Sequence, residues 1–481
     1  MILVLLVVLP LLGAIAAALS GRRNAQLPRV IALGTTVLTA AVSIAALVQL
    51  LGDHDAMFAW SYTGEPGMVV FRLVGDGLAM PFVLLTALLG IVAVLASWKI
   101  DDAPGAHHAL LLSLQAAVTC VFLAGTLLLF YVAWEAVLIP MFFLIGKWGH
   151  ENRRHAALKF FIYTFAGSAL MLVGLLVALT YTGGGAIGDI TVPIPADVQV
   201  WLFWLLAAGM LVKIPAWPLH TWLPDAHVEA PTAGSIMLAG VLLKIGGYGL
   251  LRVAIPYAPE GFKAAAPILA GLGIIGIVYG ALMAFAQSDL KRLVAYSSVA
   301  HMGFVLLGIS TGTALGFAGA VLAMVSHGLV AGLLFLLVGS LYERTHTREI
   351  ARYGGLAAQV PRWATLFTFA ALASLGLPGL SGFPGEFLAF IEGFGEFGWW
   401  MIPAGIGVFL AAVYNLSAVR RVNFGPLAGE WSSLADASTV ELVAALPLVV
   451  AIIVLGVAPG LVLRLTDPVV RGITMILGGG S

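Results

Sequence analysis

The chain has 481 residues, of which 61% are hydrophobic and only 10% charged, and its 23 lysines and arginines balance 23 aspartates and glutamates. Soluble domains carry about 25% charged residues, so the composition indicates a polytopic membrane protein and excludes a soluble enzyme. Zero net charge argues against a nucleic-acid partner. Cys120, the only cysteine, excludes an internal disulfide, a cysteine zinc site and an iron–sulfur cluster on this chain.

A membrane span takes about 20 apolar residues. Residues 2–20 end in small side chains, as a signal peptide does, but lack a basic leader and read as a first span. Apolar runs then predict spans near 28–51, 78–98, 109–125, 127–146, 157–181, 200–222, 235–255, 265–286, 293–310, 316–342, 362–392, 399–419 and 440–463, fourteen in all. Residues 109–146 are too long for one span and hold one acidic or basic residue, Glu135, so a turn near Gly125 divides them. The polar stretches 52–77, 182–199, 343–361 and 420–439 are all loop-sized, and His107 and His108 read as solvated loop residues.

Alternating the loops across the membrane puts sixteen of the 23 basic residues on one side, Arg22, Arg23, Lys291, Arg292 and Arg348 among them. Five, including Arg252, fall on the other, and Lys213 and Lys244 lie inside spans. The positive-inside rule makes the first side cytoplasmic and puts both termini on the opposite face. The expected fold class is an all-α polytopic membrane protein of about 14 transmembrane helices.

Between Gly209 and Tyr248 the seventh run is broken at Pro215 and Pro218, with Lys213 just before the break and Lys244 in the next run. The twelfth is broken likewise at Pro378 and Pro384, beside Glu386. An offset of five spans is odd and gives the two units opposite topology, the pattern of inverted repeats with discontinuous helices. The expected organisation is an N-terminal three-helix segment over 1–108, a five-helix half-channel over 109–257, its inverted counterpart over 258–422, and a C-terminal helix over 423–481.

A charged side chain at mid-membrane costs about 2.5–3.5 kcal/mol on insertion scales, so each one marks a candidate function. Glu135, Lys213, Lys244 and Glu386 are such residues, and His301 and His327 lie on the tenth and eleventh spans. Burial disfavours the charge of a lysine and of a carboxylate alike, which brings both toward proton exchange, and histidine exchanges protons near neutrality. A salt bridge that merely joins helices, or a histidine that merely packs, is the plainer reading of each residue alone; together they read as a proton relay. His220, Asp225 and His227 are candidates for a cytoplasmic entry. With Glu229 they match no metal-ligand spacing, because prolines interrupt the helical register. The G-x-G-x-x-G run at Gly271–Gly276 lies inside a span with no preceding strand, so it reads as helix packing and not as a nucleotide site.

Four stretches carry a resemblance. They are FYVAWEAVLIPMFFLIG around Glu135, the segment from Gly209 through Lys244, SDLKRLVAYSSVAHMG past His301, and GLPGLSGFPGEF with Glu386. In them the chain resembles the antiporter-like subunits of respiratory complex I, relatives of the Mrp antiporters, and within that family its M-type branch. The branch is indicated by Glu386 where the other antiporter-like subunits carry lysine, and by an end soon after the fourteenth span. The visible departures are in loops, chiefly the glycines at 183–185.

The resemblance implies that Glu135 and Lys213 are the intramembrane pair, Lys244 the central lysine, His301 and His327 the connecting histidines and Glu386 the terminal residue. It implies a proton-translocating subunit in a bacterial cell membrane. It further implies that FMN, iron–sulfur clusters, NADH and quinone are held by other subunits, and that the antiporter-like L and N subunits and the lipid bilayer are its partners. A multisubunit Na⁺/H⁺ antiporter or a membrane-bound hydrogenase shares this pattern and is the alternative. A solute carrier would call for hydroxyl- and amide-lined cavities, and a scaffold would leave the buried charges unexplained.

Overall fold

The computed structural model describes every residue except 22–25, 53–56, 64–68, 183–184 and 479–481. Arg22, Arg23, Gly183 and Gly184 thus lie outside the described residues. Hydrocarbon offers no hydrogen bonds, so an apolar chain satisfies its backbone by coiling into helices. The first are α1 (Ile2–Ser20), α2 (Leu27–Gly52), α3 (Met80–Ala96), α4 (Pro104–Leu123), α5 (Leu127–Ala136), α6 (Leu138–Trp148) and α7 (Arg153–Leu179). Next come α8 (Ala196–Lys213), α9 (Trp222–Glu229), α10 (Thr232–Met237), α11 (Leu243–Gly249), α12 (Ile255–Tyr257), α13 (Pro259–Phe285), α14 (Leu290–Ser310) and α15 (Ala314–Thr345). The last are α16 (Leu356–Gln359), α17 (Pro361–Ser374), α18 (Gly382–Phe397), α19 (Ile402–Asn423), α20 (Thr439–Val457) and α21 (Gly460–Ile476).

Among the described residues, 12 helical runs are long and apolar enough to cross a membrane, and Met80–Ala96 is a shorter apolar helix. Their burial sorts them into layers. The apolar window is 94% buried in the run Thr232–Tyr257, 94% in α14 and 100% in α15, against 28% in α2 and 22% in α20. Three helical runs therefore form the centre, and the outer ones turn apolar faces outward, as lipid contact requires. Lys244, His301 and His327 sit on those three central runs.

The chain is broken where the prolines stand. Helix α8 ends at Lys213 and α9 begins at Trp222, while α17 ends at Ser374 and α18 begins at Gly382. Pro215 and Pro218 donate no N–H, so the ladder cannot continue. In the second break Gly376 and Gly379 take positive φ. The run through Lys244 is interrupted more gently, by two π-helical turns, Leu238–Leu242 and Leu250–Ala254, on either side of α11. Such turns widen a helix locally and collect at functional sites.

Three sequence expectations change. The polar stretch after α2 contains an antiparallel hairpin, β1 (Met57–Thr63) with β2 (Val69–Asp76). A second helix, α21, follows α20, burying Val462, Thr466, Val470 and Ile473 on one face while Asp467 and Arg471 pair on the exposed side. His107 and His108 are not solvated: both are fully buried. Helix α4 begins at Pro104, earlier than the apolar run, and its first turns carry both imidazoles inward. There His107 Nε2 lies 2.9 Å from Ser97 Oγ and its ring packs edge-on against Trp148, while His108 Nδ1 lies 2.8 Å from the Pro104 carbonyl.

Close backbone contact brings the central elements together. A side chain on Gly246 of α11 would meet the Met210 carbonyl of α8 at 2.5 Å, and one on Gly385 of α18 would meet Ala323 N of α15 at 2.4 Å. The first contact brings the Lys213 helix against the Lys244 helix, and the second brings Glu386 toward His327. Gly246→Ala is expected to lower stability by about 1–3 kcal/mol, the usual cost of overpacking. Gly34→Ala has no neighbour within 4 Å and is expected to be neutral or stabilising by up to about 1 kcal/mol through helix propensity. Thermal unfolding midpoints of the two detergent-solubilised variants check both.

Candidate functional site: a buried line of titratable groups

Lys213 is the last residue of α8 and only 1% exposed. The free carbonyls and macrodipole at a helix C-terminus favour a cation there. Its Nζ has no hydrogen-bond partner. It lies 5.4 Å from the Phe160 ring centroid and 5.8 Å from that of Trp134. Cation–π contacts are worth about 2 kcal/mol or more when desolvated, enough to offset much of the insertion cost. Glu135 is the carboxylate whose charge Lys213 feels, yet no ion pair joins them among the described residues, and Glu135 Oε1 is buried without a partner. Glu135 stands at the end of α5, where Pro140 interrupts the ladder into α6. The two groups are therefore coupled through space without being joined by a direct hydrogen bond.

Lys244 is fully buried. Its Nζ donates to the Ala239 carbonyl in the preceding π-helical turn and meets His327 Nδ1 at 2.6 Å. A protonated lysine has only donors, so it fixes the His327 hydrogen on Nε2; a neutral amine can instead accept from Nδ1–H. The contact is thus compatible with the proton on either side. His327 Nε2 has no partner. The His301 ring is next, 5.5 Å away between centroids. His301 Nδ1 lies 2.5 Å from Glu386 Oε1, and its Nε2 lies 3.1 Å from Ser374 Oγ and 3.4 Å from the Tyr414 hydroxyl.

Both imidazoles line a small cavity with Ser297, Ser326, Ser374 and Glu386, among apolar neighbours. Its room for a water centre is about 10 Å³, on the order of one water molecule. Two hydrogen-bonded pairs, Lys244–His327 and His301–Glu386, therefore adjoin through their imidazoles at a small cavity that serine hydroxyls help to line.

The entry candidates separate. His220, in the first break, is buried beside the Tyr279 ring with both nitrogens unpartnered. Asp225 is held between Lys159 at 2.6 Å and Arg292 at 3.2 Å. His227 lies deeper: fully buried, stacked on Phe335 at 4.5 Å, with both nitrogens unpartnered. Among the described residues no cluster of three or more His, Cys, Asp or Glu could hold a metal ion.

Sequence reading missed the group that closes the end of α9. Lys291 is 3% exposed, and its Nζ donates to the Ala230 carbonyl at 2.5 Å and to that of Val228 at 3.4 Å. Arg348 Nη1 also donates to the Val228 carbonyl, at 2.6 Å. Cations satisfy the free carbonyls of a helix C-terminus in this way. Glu229 accepts from Asn152 N through its carboxylate and from His150 N through its carbonyl. The available signal was Asp289, which caps α14 by accepting from Arg292 N and so places Lys291 on a helix instead of in a loop.

Burial, with the charges of Lys291 and Arg348, pushes the His150 imidazole down to about 3. An unfolded histidine titrates near 6.5, so below that pH the unfolded chain binds the extra proton and stability falls. The stability advantage of the wild type over His150→Gln is expected to shrink as pH drops from 7.5 toward 5. Unfolding midpoints of both proteins at the two pH values check this.

Residues 124–412 match the family model described as the NADH:quinone oxidoreductase/Mrp antiporter transmembrane region. NADH-quinone oxidoreductase subunit M of Rhodobacter capsulatus is 43% identical over 458 residues, spanning 91% of this chain and 88% of the relative. A chain in the structure of respiratory complex I from Thermus thermophilus with bound NADH superposes with a TM-score of 0.91 at 34% identity, covering 100% of both chains. A chain of the Mrp complex from Dietzia sp. DQ12-45-1b shares the fold, with a TM-score of 0.86 at 19% identity over 99% of each. The chain belongs to the family of antiporter-like membrane subunits common to NADH:quinone oxidoreductase and the Mrp antiporters.

Proposed function

We propose that this chain is the M-type proton-translocating subunit of an NADH–quinone oxidoreductase. The observation that carries the reading is the line of titratable groups on the central helices, from Lys244 through His327 and His301 to Glu386, with unpartnered atoms left at Lys213 Nζ and His327 Nε2. The 43% identity to a subunit M, against 19% to the Mrp structure, favours the oxidoreductase over an antiporter assembly.

In this reading NADH, FMN, iron–sulfur clusters and quinone are handled by other subunits, and the L and N subunits lie beside this one. The subunit spans the cell membrane with both termini on the non-cytoplasmic side. Residues 109–257 and 258–422 act as two inverted half-channels. Protons enter from the cytoplasmic side near His220 and His227 and reach Lys213 and Lys244. They pass from His327 to His301, which line the same small cavity, and leave by way of Glu386. The trigger is a change in the distance between Glu135 and Lys213. Moving the carboxylate toward the lysine favours its charged form, and moving it away releases a proton. The unpartnered Nζ of Lys213, walled by aromatic rings, supports this, because a locked salt bridge would hold one state only.

Lys213→Ala and Glu135→Ala are each expected to abolish most proton pumping and coupled quinone reduction. NADH oxidation by an artificial acceptor should stay near the wild-type rate, showing that assembly survives. The check is acidification of proteoliposomes by the purified complex, and wild-type pumping in either variant contradicts the assignment.

A further inference from the structure

On the hairpin side of Lys244 lies a second, largely buried charged cluster that the relay does not use: the Arg252 side chain is 16% exposed and that of Asp76 4%. Arg252 is in the π-helical turn Leu250–Ala254, eight residues past Lys244, or about 12 Å along the helix. Its Nη2 donates to both oxygens of Asp76 at 2.6 Å, and its Nε donates to the Tyr248 hydroxyl at 3.0 Å. Asp76 Oδ1 also accepts from Leu78 N at 3.1 Å and Ala79 N at 2.9 Å, at the start of α3. Tyr248 in turn donates to the Phe122 carbonyl at 2.6 Å. Around the phenol, the Phe82 and Phe122 rings stack 5.0 Å apart and both meet Tyr248 edge-on.

This cluster ties the far end of the Lys244 run to the hairpin, since Arg252 pairs with Asp76 at the end of β2. Its chemistry is opposite to that of the axis. A guanidinium does not release its proton in a protein. The Asp76 carboxylate is committed to Arg252 and to two backbone N–H groups, and the hydroxyl hydrogen of Tyr248 is committed to a carbonyl. Along the axis, Lys213 Nζ, His327 Nε2 and both nitrogens of His227 are without partners. A buried ion pair is seldom worth more to stability than apolar packing of the same volume, so simple clamping is a weak reason for placing one here.

We infer that Asp76, Arg252 and Tyr248 form a proton-tight plug closing the hairpin end of the Lys244 compartment, so that a proton on Lys244 leaves only sideways through His327. The inference rests on the relay proposed above. The plug blocks because nothing in it exchanges a proton. Removing Arg252 alone frees the Asp76 carboxylate to titrate between Lys244 and the outer water, whereas replacing both charged groups by amides removes the exchangeable site again.

The test uses the assembled complex in proteoliposomes containing a pH dye, with a pH jump imposed and no NADH present. Arg252→Gln is expected to speed collapse of the pH difference several-fold over the wild type. Asp76→Asn combined with Arg252→Gln is expected to return it to the wild-type rate. Wild-type retention in Arg252→Gln overturns the inference, and so does a double variant as leaky as the single one, which would show damage to the packing instead. Failure of the underlying relay reads out separately: a fully assembled His327→Leu complex that translocates as many protons per NADH as the wild type refutes the relay whatever the jump experiment gives.

Discussion

The contact between Lys244 Nζ and His327 Nδ1, 2.6 Å long and in the most buried layer of the molecule, is the constraint the architecture serves. An ammonium group has no place in hydrocarbon unless partners surround it. Here the partners are the Ala239 carbonyl, in a π-helical turn, and an imidazole from the neighbouring helix. The π-helical turn therefore has a chemical purpose: it offers the Ala239 oxygen to a side chain five residues ahead. The central runs can come close enough for this only because small residues line their crossings.

The two helix breaks meet the same demand in opposite ways. The first ends a helix on a lysine, Lys213, where the C-terminal dipole welcomes a cation. The second resumes a helix just ahead of a glutamate, Glu386, which meets His301 at 2.5 Å. Between them the groups alternate between held and free. Lys244 and Glu386 are each held by short hydrogen bonds to a histidine, while the Lys213 ammonium has aromatic faces and no hydrogen-bond partner. A conducting line needs both kinds, because a line fully satisfied everywhere has nowhere to put a moving proton. The Asp76–Arg252–Tyr248 cluster is the satisfied extreme, and in the proposed route it stands where conduction would be a short circuit.

Much of this was legible in the sequence because hydrocarbon makes charge conspicuous. Glu135, Lys213, Lys244, His301, His327 and Glu386 all stood out as titratable residues in apolar runs, and the prolines marked both breaks. What stayed hidden lies near the ends of the helices. There a basic residue such as Lys291 or Arg252 looks like an ordinary loop charge, and only tertiary partners such as the carbonyls of Val228 and Ala230, or Asp76, show that it is held inside the fold. His107 and His108 were misread for the same reason. The helix begins at Pro104, a residue common at a first helical position, and not at the first apolar residue. The π-helical turns leave no periodic mark at all, and the β-hairpin depends on a pairing between strands that composition does not express.

The most direct measurement of the central claim is the number of protons translocated per NADH oxidised by the purified complex carrying His327→Leu. If the route runs through the Lys244–His327 contact, that ratio falls well below the wild-type value while NADH oxidation by an artificial acceptor is unchanged. An unchanged ratio in the fully assembled variant would contradict it.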